Sequence, residues 1–171
     1  MKYTPNTKHQ SGVVLVISLI MLLLLTMIGV TSMQVTALEE KMAGNSKDKN
    51  TAFQAAEAAL RDAEIDIRTS GRISGVTGMT NTCTNGLCFF AGATISNIWE
   101  DTAKVANATS YGTFTPAANI AGLSAQPEYL IVGAKFWPPG ASSWKYIYTT
   151  TVIAQGGLNT TRTILQSVYA P

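Results

Sequence analysis

Histidine and cysteine are scarce in this sequence, which has one histidine, His9, and two cysteines. A Ser-His-Asp triad needs histidine, and a zinc site needs several thiolate or imidazole ligands. His9 lies in the N-terminal segment that is expected to be removed by processing, and two cysteines are too few for a zinc site. The sequence therefore predicts neither an enzyme nor a metal or cofactor site.

Charge is also sparse, and no charged residue occurs from Ser11 to Leu38. The net charge of +2 corresponds to Lys2 and Lys8, so basic residues are not in excess over the rest of the chain. Nucleic-acid-binding domains usually carry a basic patch or stripe. We therefore expect no nucleic-acid partner.

The uncharged stretch contains an apolar run from Val13 to Val30. As a helix of about 18 residues it would span ~27 Å, close to the ~30 Å hydrocarbon core of a bilayer. Lysines precede the run and Glu39 and Glu40 follow it, so the positive-inside rule predicts a cytoplasmic N-terminus and an exported remainder. A buried helix of a soluble protein is the alternative.

Two alternative cleavage sites flank this run. The residues Val35 to Ala37 imitate the site that follows a secretory signal. The apolar run, however, is longer than the ~7–15 residues of a usual signal core, and apolar residues continue beyond it at helical spacing. The other site is Gly12, because a residue without a side chain lets a protease approach an extended backbone closely.

Two stretches resemble a known family. The residues around Gly12 resemble the leader and start of a type IV prepilin: Lys8, His9, Gln10, Ser11, Gly12, Val13, Val14, Leu15, Val16 and Ile17. The next stretch resembles the N-terminal region of PilX-family minor pilins: Met33, Gln34, Ala37 to Asn45, and Phe53 to Leu60. The strands predicted near the end, 146–153 and 163–169, are similar to the last strands of that family, whereas about 73–125 carries no matching motif.

This resemblance implies cleavage by a prepilin peptidase between Gly12 and Val13, followed by N-methylation of Val13. It also implies other minor pilins, the major pilin and a tip adhesin as partners. The expected location is the inner membrane, as a single-pass protein with a cytoplasmic N-terminus and a periplasmic head, and then the pilus tip.

The implied fold is pilin-like, an α+β fold with one long N-terminal helix packed on a mostly antiparallel β-sheet. Its parts are a leader (1–12), a transmembrane and filament-core helix (13–38), an amphipathic helix (39–70) and a β-rich extracytoplasmic head (71–171).

One position departs from the resemblance. Most pilins carry glutamate at the fifth mature position, which here is Ile17. In the family that carboxylate meets the terminal ammonium of a neighbouring subunit, because an unpaired charge in apolar surroundings costs several kcal/mol. A subunit without it suits the end of a filament, where no earlier subunit exists. The alternative is that Ile17 is one more membrane-facing residue.

The resemblance therefore implies a minor pilin that helps to initiate type IV pilus assembly at or near the tip, with cell adhesion and twitching motility as expected pilus functions. A minor pseudopilin of a type II secretion system is one alternative. Such pseudopilins typically carry a large inserted domain, for which this chain has little room. A signal-anchored periplasmic binding module is the other alternative.

Periodicity predicts the elements independently. Two apolar stripes at helical spacing form one long helix: Met33, Ala37, Leu38 and Met42, then Phe53, Ala56, Leu60, Ala63 and Ile67. The second stripe is expected to be domain core, with a partner surface as the alternative. The polar stretch 44–50, followed by Thr51 and Gln54 as a capping box, predicts a bend or a new helix start.

β-branched and aromatic runs predict strands at Leu87–Thr94, Tyr129–Ala134, Trp144–Ala154 and Arg162–Tyr169.

Cys83 and Cys88 flank Asn85 and Gly86, which are strong turn formers. In an oxidising periplasm this spacing predicts a local disulfide. Two free buried thiols are the alternative.

Overall fold

The structure is a computed structural model that describes residues 12–90 and 97–171. The chain divides into two compact units, one ending at Asn45 and the other beginning at Ser46. The leader predicted for residues 1–12 lies outside the described residues except for Gly12.

The N-terminal helix α1 runs from Val13 to Thr69, which confirms the prediction of one long helix. The prediction of a new helix start after Gly44 was wrong, because residues 44–50 are helical and continuous with the rest of α1. The Thr51 hydroxyl donates to the Lys47 carbonyl at 3.0 Å, so Thr51 is a helix-interior residue and not a cap. A single glycine costs a helix only about 1 kcal/mol relative to alanine, and propensity is a weak prior that other contacts often override.

From Ser46 onward, α1 buries a face of small side chains: Ala52, Ala55, Ala56, Ala59 and Ala63, with Leu60 and Ile67. The second predicted stripe is therefore mainly core. The prediction was wrong for Phe53, which is 48% exposed. Phe53 is rotated by about 100° from the buried Ala52, which turns it away from the sheet.

In the described ranges, five strands form one sheet: β1 (Leu87–Phe89), β2 (Thr109–Ser110), β3 (Glu128–Phe136), β4 (Lys145–Gln155) and β5 (Arg162–Tyr169). The strand order is β1-β3-β4-β5, and β2 also pairs with β3. All pairs are antiparallel except β1 with β3. The predicted α+β fold with a mostly antiparallel sheet is confirmed. The predicted extension of β1 to Thr94 lies partly outside the described residues, and β2 was not predicted.

Strand β3 contributes to two cores because successive side chains of a strand point to opposite faces. Tyr129 and Ile131 pack with the buried alanines of α1. Leu130 and Val132 pack on the other face with Cys83, Cys88 and Ile98. The segment between α1 and β3, which includes the short helix α2 (Thr102–Val105), therefore covers part of the sheet face that α1 does not.

Candidate functional site

The first half of α1, residues 13–38, is here called the stem. Its large apolar side chains are all exposed. The exposed fraction is lowest for Leu24, at 47%, and highest for Met33, at 77%. Its best window has a mean hydropathy of 3.1, so by length and composition α1 could cross a membrane. A contiguous apolar surface of this size marks a site of contact with lipid or protein.

The polar side chains of the stem are compatible with such contacts. Five hydroxyls donate to carbonyls three or four residues earlier in the same helix: Ser18, Thr26, Thr31, Ser32 and Thr36. An unsatisfied polar group in hydrocarbon costs several kcal/mol. Because these hydroxyls are bonded within the helix, the stem can enter lipid or a helix bundle without that cost.

The three residues singled out at the N-terminus lie at the start of the stem. Gly12 directly precedes the first residue of α1, and no atom lies within 4 Å of the position that a Cβ would occupy. Val13 begins the helix, and Ile17 lies about one turn further on with 52% of its surface exposed. The stem contains no acidic residue that could replace a carboxylate at Ile17.

Cys83 and Cys88 are joined by a disulfide and are fully buried. The turn between them places Asn85 and Gly86 at φ angles of 51° and 73°. Asparagine and glycine tolerate this left-handed conformation best. A Cβ on Gly86 would also lie 2.4 Å from the Thr109 hydroxyl, so the turn leaves room only for glycine.

A buried charged cluster lies between the second half of α1 and the segments packed on it, and the sequence patterns did not predict it. Asp66 of α1 is fully buried and forms an ion pair with Arg72, whose Nε lies 2.9 Å from Oδ1. The Tyr129 hydroxyl donates to Asp66 Oδ2 at 3.0 Å. Burial, together with the Asp66 and Asp62 carboxylates, raises the pKa of Tyr129 above its ordinary value, so Tyr129 remains a proton donor.

This cluster attaches the segment between α1 and β3. Arg72 Nη1 donates to the Asn85 carbonyl at 2.9 Å, and its guanidinium carbon lies 3.8 Å from the Phe114 ring centroid. Asp62, also buried, accepts from the Gly112 amide at 2.9 Å and from the Thr115 hydroxyl. A signal was present in the sequence, because both acids fall on the apolar face of α1, one turn apart.

A second attachment joins α1 to the β4–β5 loop. The amides of Gly157 and Leu158 donate to Asp48 Oδ1 at 2.7 and 3.3 Å. The neighbouring Thr161 hydroxyl and these two amides lower the pKa of Asp48. The other carboxylate oxygen of Asp48, Oδ2, is buried and has no well-aligned hydrogen-bond partner among the described residues.

The head also has a shallow polar cleft of about 280 Å³, lined by Asn81, Thr82, Asp101, Ala103, Lys104 and Asn107. Lys104 is paired with Asp101 there, and the Asn107 amide donates to the Thr82 carbonyl at 2.9 Å. Within residues 12–90 and 97–171, no group of three or more His, Cys, Asp or Glu side chains is placed to hold a metal ion.

Residues 11–61 match the family model described as PilX N-terminal. This part of the chain is therefore similar to the N-terminal region of PilX proteins. The PilX match covers Gly12, Val13, the stem and the first part of the buried alanine face. No curated protein and no solved structure matches the chain.

This partial match supports a minor pilin related to the type IV pilus. The family is structural and not enzymatic, and it implies association with other pilus components. The exposed apolar stem could serve as a membrane anchor.

Proposed function

We propose that this chain is a minor pilin that helps to initiate type IV pilus assembly and sits at or near the pilus tip. The observation that carries the proposal is the stem. It is exposed and apolar, belongs to the PilX-matching region, and has isoleucine where a shaft subunit would need a carboxylate.

Before assembly, the stem holds the subunit in the inner membrane, with the head in the periplasm. A prepilin peptidase cuts between Gly12 and Val13, and the new amine of Val13 is methylated. Gly12 suits this cut because nothing crowds its α-carbon. Other minor pilins and the major pilin then pack against the stem.

Without a carboxylate at position 17, the subunit can pair with the next subunit but not with an earlier one. The amine of Val13 can receive a glutamate from the next subunit, whereas Ile17 offers nothing to the amine of an earlier subunit. A buried ammonium without a partner costs several kcal/mol. The subunit is therefore unfavourable within the shaft and acceptable at its leading end, where a tip adhesin could join it.

Replacing Gly12 with phenylalanine tests the processing step. We expect the wild-type protein to begin at N-methylated Val13 and the Gly12→Phe variant to retain its leader, because the side chain keeps the backbone out of the peptidase. Mass spectrometry of membrane-extracted protein measures both. Gly29→Ala is the matched control, since Gly29 of the stem also has open space at its α-carbon. A mature protein that begins at Leu38 would instead show cleavage by signal peptidase and contradict the pilin processing.

Electron microscopy of cells that lack the gene tests the role in assembly. We expect surface pili to be lost and then restored by the wild-type or Gly29→Ala gene, but not by Gly12→Phe. Normal piliation without the gene would instead favour a periplasmic binding module.

A further inference from the structure

The β3–β4 hairpin projects beyond its neighbouring strands in the described part of the sheet. Pairing with β1 ends at Gly133 of β3, and pairing with β5 begins at Tyr148 of β4. Beyond these residues, among those that the structure describes, β3 and β4 pair only with each other, over the three positions from Ala134 to Phe136. Tyr146 packs over Gly75 at the base of this ribbon. The remainder, Lys135 to Lys145, is here called the aromatic tip.

Three large aromatic side chains are exposed at this tip. Phe136, Trp137 and Trp144 have 41%, 50% and 49% of their surfaces accessible. The two indoles meet edge to face with ring centroids 5.3 Å apart. An edge-to-face pair is a favourable arrangement, so each ring helps to hold the other in its exposed position.

The backbone also holds these rings away from the core. The Ala141 amide donates to the Pro138 carbonyl at 3.1 Å, which closes a turn over Pro139 and Gly140. Gly140 has a φ of 79°, and proline followed by glycine at the two central positions suits a type II turn. The tip is therefore preorganised, and binding through it loses little conformational entropy.

The charged residues of the tip itself are both basic. Lys135 and Lys145 flank the aromatic residues, and Lys135 Nζ lies 5.2 Å from the Trp144 ring centroid. No Asp or Glu occurs anywhere from residue 129 to 171. The tip therefore combines an apolar end with two cations that no nearby acidic residue of β3, β4 or β5 neutralises.

We propose that the aromatic tip inserts into the headgroup region of a bilayer that contains anionic phospholipid. Tryptophan favours this depth because its ring is apolar and its N–H is polar, and lysines beside it attract anionic headgroups. Each of the three residue pairs adds a rise of about 3.4 Å along the strands, so the two-stranded ribbon projects by ~10 Å. This length matches the depth of ~5–10 Å to which interfacial elements enter a bilayer. A stable protein interface buries about 800 Å² on each partner, which is more than so narrow a tip provides. This contact is separate from the stem and does not depend on the proposed pilus function.

The test uses the full chain with its stem inserted in phosphatidylcholine nanodiscs. These are mixed with vesicles of phosphatidylcholine alone or with added phosphatidylglycerol, and binding is measured by co-flotation. We expect binding to the anionic vesicles and little to the neutral ones. Trp137→Ser combined with Trp144→Ser should weaken binding roughly tenfold or more. Leu158→Ser combined with Val168→Ser should not, although Leu158 and Val168 are 56% and 67% exposed.

The lysines are tested in the same assay. Each lysine near an anionic surface contributes about 1 kcal/mol, or roughly fivefold in binding. Lys135→Gln combined with Lys145→Gln should therefore lower binding about 25-fold, and Arg162→Gln, outside the tip, should change it little. Brominated phosphatidylglycerol in the vesicles should quench the tip indoles. A Trp137→Phe and Trp144→Phe variant, which retains only Trp99, should not be quenched.

Three results would overturn the proposal. The first is no preference for anionic over neutral vesicles, and the second is an equal loss of binding with the Leu158 and Val168 control. The third is self-association of the nanodisc-held chain that the Trp→Ser pair abolishes while vesicles do not bind, which would assign the tip to a protein contact.

Discussion

At the residue scale, the head depends on carboxylates set into the apolar face of α1. Asp66 is buried among alanines and is stabilised by the Arg72 guanidinium and the Tyr129 hydroxyl. A buried ion pair gives little net stability, but removal of one partner leaves an uncompensated charge. We therefore expect the ion pair to fix the position of the segment that follows α1, and to add little to the net stability.

Arg72→Met tests this placement. The variant should lower the free energy of unfolding of the head by about 3 kcal/mol, because Asp66 would remain buried without its cation. Arg68→Met is the control, since Arg68 is exposed on the same helix and its loss should change stability by less than ~0.5 kcal/mol. Denaturant unfolding of detergent-solubilised protein, followed by near-UV circular dichroism, measures both.

A second variant identifies the cause of the loss. Asp66→Asn combined with Arg72→Met should be more stable than the sum of the single changes predicts, because the buried charge is gone. Equal effects of Arg72→Met and Arg68→Met would show that the pair does not hold the segment.

At the element scale, the β4–β5 loop closes against the backbone of α1. A Cβ on Gly156 would lie 2.8 Å from the Asp48 carbonyl oxygen and 2.5 Å from its Oδ1. The same atom on Gly157 would lie 3.3 Å from Oδ1. The loop can therefore approach the helix at Gly156 only without a side chain, whereas Gly157 has more room.

Gly156→Ala and Gly157→Ala form a matched pair for this approach. Gly156→Ala should destabilise the head by about 1–3 kcal/mol, because the methyl group pushes against backbone that cannot move freely. Gly157→Ala should have a clearly smaller effect. Thermal unfolding of the two variants under identical conditions compares them, and an equal loss in both would refute the close approach at Gly156.

At the scale of the whole molecule, the proposed pilin function gives the stem control over where the subunit stands in a filament. Charge pairing between neighbouring subunits needs an amine on one and a carboxylate on the other. Under the proposed processing, Ile17 occupies the position of that carboxylate, and the stem contains no acidic residue. If it occupies the leading end, no earlier subunit offers an amine at that depth.

Ile17→Glu tests this placement. At the leading end the new carboxylate would be unpaired in lipid or filament core, which costs a few kcal/mol or keeps the group protonated. We expect no gain in piliation and weaker initiation, while Ile17→Leu should be nearly silent. Quantitative immunoblots of sheared pili against the major pilin measure incorporation. A rise for Ile17→Glu would place the subunit in the shaft and refute the leading-end position without affecting the pilin assignment.

The sequence alone predicted the features that depend on local pattern. The apolar run from Val13 defined the stem, and β-branched and aromatic runs located β3, β4 and β5 to within a few residues. The turn formers between Cys83 and Cys88 indicated the disulfide that the structure contains. Such features are readable because each follows from the spacing or propensity of residues close together in the chain.

Only the tertiary structure decided which chain segments meet. It showed that Thr51 lies inside a helix, that Phe53 faces away from the core, and that Asp66 reaches Arg72 and Tyr129. It also showed that the hairpin carrying Trp137 projects past β1 and β5 within the described residues. The contact of Tyr129 with Asp66 and the projection of the hairpin depend on segments that are distant in the chain, and the energies of such contacts are set by burial and pairing.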